Sequence, residues 1–153
     1  MGIFVEIADQ WQIAENAFSA LEQVAFAAND DASYDAADEQ RKRNDQAYFL
    51  YLFTRFEGAV NHAVTIIIGN RVSGAAWSDR RIWEAWSRQG ISNVHFMSKV
   101  EVLTEKSLRH YAIVKEYYDG RNSVAHGGIW SEQFLIPEIA QMIENICKSF
   151  PTN

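Results

Sequence analysis

Residues 115–130 read KEYYDGRNSVAHGGIW, and Arg121, Asn122 and His126 within them are the side chains best suited to chemistry. An imidazole takes up and returns a proton near neutral pH, and a guanidinium stays charged and fits phosphate oxygens. Leu108, Tyr111, Ala112, Val114, Tyr117 and Tyr118 recur at three- and four-residue steps, which predicts a helix starting near Ser107. Gly127-Gly128 ends it, because glycine enters the left-handed conformation of a helix C-terminus at little cost. Together the three residues point to phosphate chemistry. Two of them are awkwardly placed for it, since a spacing of five puts Arg121 and His126 roughly 140° apart around an ideal helix. A two-fold dimer that joins two such helix ends would give a composite site of two arginines and two histidines.

The arrangement Arg121-Asn122-x3-His126, closing a helix, resembles the motif of the HEPN superfamily. The resemblance implies an all-α, compact helical bundle of about five to six helices with a four-helix core. It implies a homodimer and a metal-independent endoribonuclease of toxin or defence type, with RNA as substrate and no cofactor. His126 would be the acid–base group, Arg121 the electrostatic one, and Asn122 would orient the imidazole or the substrate. The products would be a 2′,3′-cyclic phosphate and a 5′-hydroxyl, and a neutralising protein partner would be possible. Arg55…His62 and Arg88…His95 also have six residues between arginine and histidine, but the first lies mid-helix and the second is interrupted by Gly90 and Ser92. In some members a tyrosine two residues after the histidine is modified by a partner enzyme; here that position is Gly128. Two other readings stand beside catalysis. His126 caps its helix while Arg121 joins a surface ion pair, or the fold serves as a non-catalytic interaction or nucleotide-binding module.

The rest of the chain has to position these residues. Its 153 residues suit a single domain, here 1–153, with 48% apolar and 22% charged residues. A net charge of −6 speaks against a general nucleic-acid coat, though not against a local basic groove. The single cysteine, Cys147, leaves no internal disulfide and fits a reducing, cytoplasmic setting, with packing on the last helix as its role. No stretch has the charge pattern of a leader or the length of a membrane span. His62, His95 and His110 have no metal-ligand spacing, so no metal is expected.

Periodicity predicts a first helix over residues 3–28 with an apolar stripe of Trp11, Ala14, Phe18, Leu21, Val24 and Ala25. Residues 29–38, acidic and small, read as a surface loop. A long helix from about Ala37 to Ile68 follows, closed by Gly69-Asn70, with Phe49, Phe53, Phe56, Val60, Val64 and Ile67 facing inward. Arg41-Lys42-Arg43 on its early turns is either a solvated face or a phosphate-steering patch. Glu57 and Asn61 interrupt a largely apolar row, and a carboxylate there needs a partner. Glu57 either reaches water at the boundary or bonds Arg121 and sets its rotamer. Residues 71–77 read as a loop, with Ser78 capping a short helix that ends at Gly90. On it Arg80 and Arg81, beside Trp83 and Trp86, are candidates for gripping RNA, or the tryptophans are simply core or dimer interface. Ser92 starts the next helix, through Phe96, Val100 and Leu103. A linker over residues 129–136 leads to Pro137 at the first position of a last helix, whose stripe is Ile139, Met142, Ile143 and Ile146.

Overall fold

In the computed structural model, which describes residues 2–74, 76–128 and 135–151, the chain is all-α. Among the described residues there are six helices, one short 3-10 turn and no strand. The helices are α1 (Ile3–Ala27), α2 (Asp31–Gly74), α3 (Trp77–Gln89), α4 (Phe96–Leu103), α5 (Arg109–Ala125) and α6 (Ile136–Lys148), with the 3-10 turn Ile91–Asn93 before α4.

In place of the predicted loop over residues 29–38 there is only a three-residue connection, 28–30, and α2 starts at Asp31. Asn29, at φ 52, reverses the chain. Asp30 then caps the new helix: its Oδ1 accepts the Ser33 backbone N–H at 3.1 Å, and its Oδ2 accepts the Ser33 hydroxyl at 2.6 Å. Those bonds to Ser33 hold the Asp30 carboxyl below its ordinary range. The acidic residues that read as loop polarity sit at the positive end of a helix dipole. The far end of α2 also overruns its prediction. Gly69 and Asn70 do not stop it, and the helix takes in most of the predicted loop over residues 71–77. A glycine inside a helix costs only about 1 kcal/mol, and the flanking Ile67, Ile68 and Val72 hold the turn in place. The isoleucines are buried, and Ile68 and Val72 line a shared groove with Ser87 and Ile91.

Smaller boundary shifts follow the same logic. Ala76, not Ser78, is the N-cap of α3, and Ser78 falls in the first turn. His95 takes the N-cap of α4, and Ser92 belongs to the 3-10 turn. Pro137 is the second residue of α6. The predicted linker over residues 129–136 lies mostly outside the described residues.

Packing divides the chain into two units. The first comprises residues 1–53 and 121–144, and the second comprises residues 54–120 and 145–153. In the first, the Trp11 indole donates to Asp45 Oδ1 at 2.7 Å, and Phe49 and Phe53 are fully buried with ring centroids 6.3 Å apart. In the second, Phe56 packs edge-on to Phe96 at 6.0 Å and stacks with Phe150 at 6.4 Å. Every member of the predicted α2 row from Phe49 to Ile67 is buried. The α1 stripe behaves otherwise. Trp11, Ala14 and Phe18 are half-buried and Ala25 is buried, yet Leu21 and Val24 are 54% and 69% exposed.

Candidate functional site

The motif helix ends as its glycines require. The Gly128 N–H donates to the Ser123 carbonyl at 2.9 Å and the Gly127 N–H to the Val124 carbonyl at 3.1 Å, the paired bonds of a Schellman closure. Gly127 has φ 79, in the left-handed region. Gly128 is held to glycine for a different reason, because a Cβ there would lie 2.7 Å from Ser123 Oγ and 2.9 Å from Ser123 O. Both glycines are therefore needed, one for conformation and one for space.

His126 is the residue just past the helix, and its backbone N–H reaches the carbonyls of Asn122 and Ser123 at 3.1 and 3.2 Å. Its side chain is exposed. Arg121 and Asn122 are half-buried, and the Arg121 Nη1 donates to Asn122 Oδ1 at 3.1 Å. So the Asn122 oxygen steadies the guanidinium. All three residues belong to the first unit.

Glu57, Arg80 and Arg81 lie in the second unit. On α3, Arg80 is half-buried with Nε 3.4 Å from Glu84 Oε1, and Arg88 holds the other Glu84 oxygen, also at 3.4 Å. Arg81 is exposed and sits over the Trp77 ring at 5.7 Å. Trp83 and Trp86 meet edge to face at 6.2 Å and are half-buried. An exposed cation against an indole that is itself 65% exposed is a surface on which a base can stack.

Glu57 also acts on Lys99, a residue outside the motif. Lys99 on α4 is buried, with Nζ donating to Asn61 Oδ1 at 2.7 Å and to the Ile91 carbonyl at 3.1 Å. Burial pushes its pKa below the ordinary lysine value, and the Glu57 carboxylate pulls it partly back. The oddity noticed on α2, Glu57 and Asn61 one turn apart on an apolar row, is the receiving half of this cluster. A carboxylate and an amide on an apolar row are a signal for a cation held nearby.

The chain matches no family model, no curated protein and no solved structure.

Elsewhere, Arg41-Lys42-Arg43 is neutralised locally. Arg41 pairs with Glu22 at 3.0 Å, Asp38 at 3.5 Å and Glu15 at 3.7 Å; Lys42 pairs with Asp38 and Arg43 with Glu39. His95 Nε2 lies 3.4 Å from the Tyr118 hydroxyl, and His110 Nδ1 lies 3.4 Å from Ser149 Oγ. Cys147 is half-buried on α6. Among the described residues no group of three or more His, Cys, Asp or Glu comes together in a form that could hold a metal ion. No helix among them is long and apolar enough to cross a membrane.

Proposed function

We propose that this protein is a metal-independent endoribonuclease of HEPN type, acting as a homodimer through Arg121, Asn122 and His126. The observation that carries the reading is the end of α5, where an exposed imidazole follows a helix terminus whose guanidinium is held by the neighbouring amide. Such a pair supplies what RNA transesterification needs. His126 takes the proton from a 2′-hydroxyl, which attacks the adjacent phosphorus and forms the cyclic phosphate. The bond to the 5′-oxygen breaks, and that oxygen takes up a proton to leave as a hydroxyl. Arg121 offsets the charge that builds on the phosphorane oxygens. Because Arg121 is half-buried and bonded to Asn122, its fork is oriented before substrate arrives, so less entropy is lost on binding.

The test is cleavage of a mixed RNA by purified protein with EDTA present. Wild type is expected to cut and leave 2′,3′-cyclic phosphate ends. His126→Ala and Arg121→Ala should each lower the rate by at least 100-fold, on the order of what one acid–base or charge-stabilising group supplies. Asn122→Ala should lower it less, since the asparagine orients and does not transfer protons. Wild-type rates in either of the first two variants, with unchanged helicity by circular dichroism, would defeat the assignment.

The alternative, a non-catalytic helical interaction module, draws on a separate observation: α1 carries large apolar side chains in water, Ile13 at 72% and Val24 at 69% exposure. Intact RNA after prolonged incubation with wild type would favour it.

A further inference from the structure

α1 has two apolar faces, and among the described residues only one of them is covered. Phe4, Ile7, Ala8 and Ala25 are buried on the inner one. On the outer one Ile13, Ala17, Ala20, Val24 and Ala27 are all exposed. Their spacings of four, three, four and three are those of the a and d positions of a coiled-coil seam. Leu21, 54% exposed, flanks the seam, so it is more than a row of small residues.

We propose that this outer face of α1 is where a second copy of the chain packs, antiparallel, about a two-fold axis between Ala17 and Ala20. Antiparallel coiled coils set a positions against d positions. In this register Ala17 meets Ala20 of the second copy and Ile13 meets Val24, while Gln10 and Ala27 close the ends. The pattern maps onto itself under the two-fold, which an isologous contact demands. The central alanines let the helices approach closely, and the β-branched pairs on either side fill the space beside them. The seam spans roughly 27 Å of helix.

Charge argues for a second copy over a foreign helix. The chain carries −6 overall, so most of its surface would repel itself. Between Gln10 and Ala28 the only charged residues are Glu15 and Glu22, and both pair with Arg41 on the inner side. The polar residues beside the seam, Asn16 and Gln23, are neutral amides. A basic amphipathic helix would find no carboxylate along the seam, whereas a second α1 meets no like charge and opposes its dipole. At its far end the seam opens into a groove of about 370 Å³, lined by Leu21, Val24, Ala28 and Ala37 and by Asp30, whose carboxylate is already bonded to Ser33. That is where Ile13 of the second copy arrives in this register.

The inference rests on α1 alone, although the ribonuclease reading also needs a dimer. Its test reads mass: variants that stay dimeric defeat this face and leave the ribonuclease reading standing, intact RNA with a dimeric wild type does the reverse, and a monomeric wild type defeats both. Light scattering at micromolar concentration should find wild type at twice its 17.5 kDa. Ile13→Glu and Val24→Lys should each raise the dimer dissociation constant at least tenfold and give monomers of unchanged helicity. Mixing the two variants in equal amounts should restore the dimer, because the new carboxylate on one chain then faces the new ammonium on the other. A monomeric wild type overturns the proposal, as does one that gains mass only with an added basic helix. So do variants that stay dimeric, or a mixture that stays monomeric.

Discussion

Two cations, one in each unit, are held in opposite ways. Arg41, in the first unit, is met by three carboxylates, Glu15, Glu22 and Asp38, with its own side chain about one-third exposed at 32%. Lys99, in the second, is 5% exposed and is bonded to neutral dipoles, an asparagine oxygen and a backbone carbonyl. A planar guanidinium with five donors can satisfy several acids at once, but the acids then crowd one another. Glu15 shows the cost, with burial first and the neighbouring Asp45 and Glu22 charges after it raising its pKa against the pull of Arg41. A compact ammonium needs only a few acceptors, and here dipoles make the bonds while the Glu57 carboxylate acts through its charge. Its cost appears on the cation itself, whose pKa falls. Acid therefore strains one unit less, and base the other.

The largest expected effect is at Arg41. Arg41→Ala leaves Glu15, Glu22 and Asp38 facing each other with no cation among them. Breaking a fully buried pair costs about 3–5 kcal/mol, and exposure of the arginine reduces this to about 1–3 kcal/mol. Urea unfolding at neutral pH measures it, and the loss should shrink in acid as the carboxylates take up protons.

Lys99→Met should cost less, within about 1 kcal/mol at neutral pH, because removing a buried charge offsets the bonds lost by Asn61 and the Ile91 carbonyl. A loss larger than that of Arg41→Ala would reverse the comparison.

The pH slopes sharpen it further. The Lys99 pKa in the folded protein lies below its ordinary 10.5, so between those values the unfolded chain holds a proton the folded one does not. Stability contributed by this residue therefore rises as pH is raised through that window, and Lys99→Met should flatten the rise. For Glu15 the folded pKa lies above 4.5, and the folded protein holds the extra proton. Its contribution rises as pH is lowered toward 4.5. The smallest effect is expected from Glu22→Gln, which thins the acid crowd while keeping the shape. A change of no more than about 0.5 kcal/mol is expected, with a weaker acid dependence, read by the same titrated unfolding series.

Much of this could be read before any fold was known, and particular residues show how much. The α2 row from Phe49 to Ile67 is inward because six apolar side chains at helical spacing can only be buried on one face. Gly127 and Gly128 end α5 because their requirement is local, a left-handed φ and a missing Cβ. The motif at Arg121, Asn122 and His126 was visible for the same reason, since a helix terminus and the residues beside it lie within one short stretch. The turn at Asn29 was missed although its signals were present, because acidic residues suit both a loop and the first turn of a helix. Only the Asp30 to Ser33 bonds separate the two.

What the sequence by itself determined is the all-helical chain, its strongest apolar row and the terminus that carries the candidate site. These follow from propensity, periodicity and capping, which act over a few residues. Tertiary structure alone decided that α2 runs through Gly69, where packing outweighs a weak breaker. It alone placed Lys99 beside Asn61, 38 positions away in the chain, and left Leu21 and Val24 in water. Periodicity marks a face as apolar, but what covers that face depends on where distant segments lie.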